Sequence, residues 1–190
     1  MGAMAAEYVF GYGSLVADPG FRPSRDPDPR GFVADVAGCR RGWGVAMDNR
    51  RDLPGYKYYT APDGSRPALY VCFLDLADDA PPGTAVNGLC APVDAETLSR
   101  LDRRERNYVR RDVSDRLNAA GARVWAYVGR DDARERLREG RRNETAAVAA
   151  AYLHAVRNGF AALGEDELAA CEASLDPGDL PVRELARHEL

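Results

Sequence analysis

The sequence predicts an α+β fold with a mostly antiparallel sheet, and three observations carry that reading. Short strand-like runs fill the first half, helical periodicity fills the last third, and no strand–helix–strand alternation links them. With 190 residues and 45% apolar content, the chain is long enough for one core. Residues 8–176 read as that single domain. Residues 1–7 read as a tag remnant, Met1 to Met4, with a short lead, and residues 177–190 as a C-terminal tail.

Residues 8–10, 32–36, 69–74 and 86–91 are rich in Val, Phe, Tyr and Leu and are bounded by Gly, Pro or Asp, which is strand punctuation. Two long loops interrupt them: residues 18–30, with Pro19, Pro23, Pro27 and Pro29, and residues 48–67, with Tyr56, Lys57, Tyr58 and Tyr59. Loops of that length in a compact domain often carry recognition. A helix then starts at Asp94, a capping residue, with Glu96 at its positive end and Val93 and Leu98 at staple positions; it runs to about Arg104. Residues 108–117 and 123–128 form a hairpin, with Val124, Ala126 and Val128 on one face of its second strand and Trp125 and Tyr127 on the other. Asn143 stands as the cap of a late helix bearing Val148, Tyr152, Val156, Phe160 and Leu163. A shorter helix follows, with Leu168, Cys171 and Leu175 up to Pro177. Cys171 reads as core, and His154, off the stripe, as solvated.

Charge narrows the function classes. The 26 basic and 30 acidic residues leave a net charge of -4, so neither nucleic acid nor an anionic membrane is an expected partner. No apolar run approaches the roughly 20 residues of a membrane span, and the start lacks a secretory signal, so a cytoplasmic protein is expected. Cys39, Cys72, Cys90 and Cys171 form no CxxC pair, and only His154 and His188 could add imidazole, so no metal is expected. Lys57 is the only lysine, which reads as composition bias rather than as arginine chosen for phosphate.

Two places carry chemistry. Gly11, Tyr12, Gly13, Ser14 and Leu15 follow the first strand, and two glycines at that spacing let backbone N–H groups converge on one anionic atom. An ordinary tight turn is the rival. A dinucleotide fingerprint fails, because Val16 stands where the third glycine belongs and Pro19 and Gly20 break the helix it needs. In the helix, Leu98, Leu101 and Glu105 are spaced i, i+3, i+7, placing Glu105 within about 20° of Leu98 on the apolar stripe. A carboxylate aimed inward there can shuttle a proton. The alternative pairs Glu105 with Arg103, Arg104, Arg106, Arg110 or Arg111, while Asp102 and Glu96 fall off the stripe and read as solvated. Tyr108, Tyr127 and Tyr152 offer hydroxyl donors or plain packing. Ser14 has no His/Asp constellation to activate it.

Tyr12-Gly13-Ser14-Leu15 after an N-terminal strand, Leu101 to Glu105 followed by Tyr108, the strand 124–128, and Tyr152-Leu153 on a late helix ending in Gly159 together resemble the γ-glutamylcyclotransferase-like superfamily. The resemblance covers residues 8–163. It implies a small β-barrel flanked by helices, with Tyr12, Gly13, Ser14 and Leu15 holding substrate and Glu105 as general acid/base. Tyr108 and Tyr127 would wall the pocket. It also implies chemistry without metal or cofactor: the α-amine of a γ-glutamyl amide attacks its own side-chain carbonyl, closing 5-oxoproline and releasing an amine. A small γ-glutamyl compound is then the expected partner, and a non-catalytic, metabolite- or protein-binding member of the same fold is the alternative. Either way, the glycine loop and Glu105 should share one pocket, bordered by the 56–59 segment and the proline-rich loop.

Overall fold

The computed structural model describes residues 6–18, 31–117 and 121–189. Most of the proline-rich loop and the hairpin tip, 118–120, lie outside the described residues. In chain order the elements are β1 (Glu7–Gly11), a 3-10 turn (Ser14–Ala17), β2 (Phe32–Ala37), β3 (Arg40–Asp48), β4 (Lys57–Thr60), β5 (Tyr70–Ala77), β6 (Ala85–Pro92) and α1 (Ala95–Arg104). They continue with β7 (Tyr108–Asp112), β8 (Arg123–Gly129), α2 (Asp131–Arg142), β9 (Ala146–Ala149), α3 (Ala150–Leu163), α4 (Glu165–Glu172), β10 (Val182–Arg183) and β11 (Ala186–Glu189).

The α+β class holds, but the barrel does not. Among the described residues the ladders form three sheets, ordered β2-β6-β1-β8-β7, β10-β9-β5-β3 and β11-β4. A closed barrel would need its edge strands to pair; here β2 and β7 remain edges. The sheets instead bury apolar side chains in common, Val9, Phe10 and Val124 from the first meeting Cys72, Leu74 and Leu76 from the second in one core. Pairing is antiparallel except for β1–β8, β5–β9 and β9–β10.

Local sequence explains the elements that position the site. β5 is an apolar run, buried from Tyr70 to Leu76, as expected of a strand covered on both faces. Its single charge, Asp75, accepts the Gly129 N–H at 2.7 Å and pairs with Arg134 at 2.8 Å. α1 starts as the sequence requires, the Asp94 carboxylate accepting the Thr97 N–H at 2.7 Å.

Several boundaries differ from the sequence expectations. Asn143 ends α2 rather than capping the next helix. α2 itself escapes periodicity because only Ala133, Leu137 and Gly140 of its residues are buried. Val148 lies in β9, fully buried and without alternation, so its alanine-rich run reads like helix. The 48–67 segment contains a strand, β4. The stretch after Pro177 supplies β10 and β11, which pair with β9 and β4. All four cysteines are buried and unpaired, Cys171 within the core, and His154 is exposed. Among the described residues no helix is long and apolar enough to cross a membrane.

Candidate functional site

β1 is the central strand of its sheet and delivers the chain at Gly11 to a tight loop. Tyr12 turns inward, 6% exposed, and its hydroxyl donates to the Tyr127 carbonyl at 2.5 Å. Ser14 to Ala17 then wind into a single 3-10 turn, closed by the Val16 N–H on the Gly13 carbonyl at 3.1 Å. That turn packs against α3 so closely that a Cβ on Gly159 would lie 2.8 Å from the Ala17 nitrogen, so glycine is required at the crossing. Arg41 clamps the loop from below. The residue is 6% exposed, and its guanidinium donates to the Tyr12 carbonyl at 3.2 Å, Asn87 Oδ1 at 2.5 Å and Ser174 Oγ at 3.0 Å.

Glu105 reaches the same place from α1. It is the residue that ends the helix, at φ -87° and ψ 53°, and its carbonyl accepts the Tyr108 N–H at 2.9 Å, so one turn fixes both side chains. The carboxylate is 14% exposed. Of the five arginines weighed as its partner, Arg104 is the one in contact, Nε to Oε1 at 3.3 Å, and Arg104 also bonds Asp18.

Three tyrosines close the recess. β9 pairs with β5 only from Tyr70 to Cys72, and past that point the Leu74 peptide is taken by side chains. The Tyr108 hydroxyl donates to the Leu74 carbonyl at 2.7 Å, and the Leu74 N–H donates to the Tyr152 hydroxyl at 3.3 Å. Phe73 packs edge-on against Tyr152 at 5.1 Å between ring centroids. The Tyr127 hydroxyl donates to Asp102 at 2.8 Å, so Asp102, expected to be idle, holds a pocket wall. Burial raises the Tyr12, Tyr108, Tyr127 and Tyr152 hydroxyls well above the ordinary phenol range, so all four stay protonated donors near neutral pH.

The structure therefore brings every sequence-predicted site residue to one cavity: Tyr12, Gly13, Ser14 and Leu15 line it together with Glu105, Tyr108 and Tyr127, and Leu74 and Tyr152 complete it. This recess, about 30 Å³, shares Ser14, Glu105, Tyr108 and Tyr152 with a wider cleft of about 490 Å³. Lys57, Tyr59, Phe73, Arg104 and Arg187 also line the cleft. A larger depression of about 760 Å³ elsewhere, around Asp78, Arg111, Asp112, Arg130 and Arg134, contains none of these site residues.

The 56–59 segment borders the cleft as expected, through Lys57 and Tyr59, but the sequence reading gave Lys57 itself no role and missed Arg41 and Arg187. An arginine in a strand beside Gly42 and Trp43 was a legible sign for Arg41, and the solitary lysine for Lys57. Nothing local marks Arg187. Asn49 was also missed: fully buried, it holds β4 in place, donating to the Tyr59 and Pro67 carbonyls at 2.9 and 3.0 Å and accepting the Tyr59 N–H at 2.8 Å. Among the described residues no cluster of three or more His, Cys, Asp or Glu side chains could hold a metal ion.

Three solved structures share this fold. A protein titled gamma-glutamyl cyclotransferase superposes with a TM-score of 0.53 at 15% identity, covering 92% of this chain and 90% of that one. An uncharacterised protein from Homo sapiens gives 0.54 at 15% identity, covering 95% and 94%. YkqA from Bacillus subtilis gives 0.54 at 15% identity over 93% of this chain, which spans only 56% of that protein's length. Comparison with curated protein sequences finds no significant match. The family model described as gamma-glutamyl cyclotransferase, AIG2-like, matches residues 9–145, which include the glycine loop, Glu105 and three of the four tyrosines. The chain belongs to that gamma-glutamyl cyclotransferase, AIG2-like family.

Proposed function

We propose that this protein cyclises the γ-glutamyl group of a small γ-glutamyl amide or peptide to 5-oxoproline, releasing the amine, with Glu105 as general acid/base. The observation that carries the reading is the recess that the glycine loop and Glu105 line together. In this mechanism Glu105 takes a proton from the substrate's α-ammonium, and the freed amine attacks the side-chain carbonyl carbon. A five-membered tetrahedral intermediate forms. Protonated Glu105 then gives that proton to the leaving nitrogen as the carbon–nitrogen bond breaks, and the second proton shed by the ring nitrogen passes through the same carboxylate to the released amine, which departs as an ammonium. The α-amine is the nucleophile, so no enzyme nucleophile is needed, and the unactivated Ser14 is no obstacle.

The remaining task is to hold the near-attack conformer and to stabilise the developing oxyanion. The loop backbone N–H groups and the Tyr152 hydroxyl, which accepts the Leu74 N–H and keeps its own proton, supply donors for both, while the Tyr12, Tyr108 and Tyr127 hydroxyls, already donated within the fold, shape the walls. The narrow recess suits the reacting carbonyl, and the wider cleft suits the leaving half of the substrate.

The test is 5-oxoproline release from γ-glutamyl amines, γ-glutamyl amino acids and glutathione. Release from at least one class is the expected result. No release from any would leave the chain a binding member of its family.

A further inference from the structure

We propose that Lys57 anchors an anionic group in the outer cleft and selects γ-glutamyl substrates whose leaving half carries a carboxylate. The proposal rests on the cyclotransferase reading and names its substrate class. Arginine supplies 25 of the 26 basic side chains, and the one lysine stands in this cleft.

Three cations, Lys57, Arg104 and Arg187, and three carboxylates, Asp18, Glu105 and Glu189, line the cleft, but they are not evenly paired. Arg104 is paired with Asp18 and Glu105, and Arg187 is paired with Glu189, the residue opposite Lys57 in the β4–β11 ladder. Lys57 has no ion-pair partner among the described residues. Its Nζ lies 4.1 Å from the Phe73 ring centroid and 5.6 Å from that of Tyr56. Ring faces attract an ammonium but do not neutralise it.

Burial pushes the ammonium down to about 8, with Glu105 pulling it up and Arg187 and Arg104 pushing it further down, and no carboxylate among the described residues reaches ion-pair distance of it. A substrate carboxylate would. Glu105 shares the cleft and attracts Lys57 electrostatically, so the rival role is to tune Glu105 rather than to touch the ligand.

A matched ligand pair separates the two. γ-Glutamylglycine and γ-glutamylethylamide differ by a carboxylate in place of a methyl group. Their affinities are measured by calorimetry in the Glu105→Gln protein, which binds without turnover under the proposed mechanism. Adding Lys57→Met should weaken γ-glutamylglycine at least about tenfold and leave γ-glutamylethylamide within about twofold, while Lys57→Arg should restore most of the loss. Lys57→Gln repeats the measurement should Lys57→Met fail to fold, as judged by circular dichroism.

Equal weakening of both ligands, no weakening, or no γ-glutamylglycine binding in the Glu105→Gln parent would each overturn the anchor. Wild-type 5-oxoproline release is assayed in parallel. Release without ligand discrimination leaves the cyclotransferase standing and removes the anchor; discrimination without release keeps the anion site and removes the cyclotransferase.

Discussion

Glutamine at position 105 preserves shape and hydrogen-bonding capacity but cannot accept a proton. The structure sets the size of each consequence. The ion pair that Glu105 makes is partly exposed, with side-chain exposures of 34% for Arg104 and 14% for Glu105. Arg104 keeps Asp18 when the Glu105 charge is removed, and Lys57, which loses the attraction of Glu105, makes no direct ion pair with it that would be broken. Stability should therefore change by less than about 1 kcal/mol. The loss of a positioned proton-transfer group should lower the rate by about 10² to 10⁴, roughly 3–5 kcal/mol of barrier. Initial rates of 5-oxoproline release and a thermal melt on the same sample read both quantities. A Glu105→Gln protein that melts several degrees lower yet stays active in proportion to its folded fraction would refute the catalytic assignment, leaving Glu105 as a structural partner of Arg104.

Tyr108→Phe should cost about 1–2 kcal/mol in urea denaturation, because the buried Leu74 carbonyl loses its donor at 2.7 Å. Arg41→Leu removes donors to Tyr12, Asn87 and Ser174, and should cost about 3 kcal/mol or more; the rate per folded molecule should also fall, since the glycine loop loses its clamp. Lys57→Met gives a pH signature. Burial holds the ammonium at about 8 against 10.5 when exposed, so between those values the unfolded wild type binds more protons than the folded one, and its stability rises with pH. The stability advantage of Lys57→Met over wild type should therefore be largest below about pH 8, shrinking by at most about 3 kcal/mol as pH rises past 10.5, as denaturation across that range would show.

The site was more legible in the sequence than the architecture around it. The i, i+3, i+7 spacing of Leu98, Leu101 and Glu105 pointed Glu105 inward, and its side chain is 14% exposed and lines the recess even though its backbone leaves helical geometry where α1 ends. The glycine loop was equally visible, since its position after an apolar run is a local feature. Long-range pairings were not. β4 hides in a polar segment because Asn49 and β11, ten and well over a hundred positions away, supply its partners. Likewise the hydroxyls of Tyr108 and Tyr152 meet at Leu74 only because β9 stops and α3 begins, a junction that an all-apolar alanine run does not announce. The charged surface of α2 defeats periodicity for the opposite reason, having too few apolar positions to repeat.

Cyclisation differs from hydrolysis in that the substrate's own amine, not water, displaces the leaving amine. Turnover of a γ-glutamyl substrate in ¹⁸O-labelled water tests it directly, with products read by mass spectrometry. Cyclisation should give 5-oxoproline carrying no label, formed in step with the free amine. Glutamate carrying ¹⁸O in its side-chain carboxylate would show hydrolysis instead and contradict it.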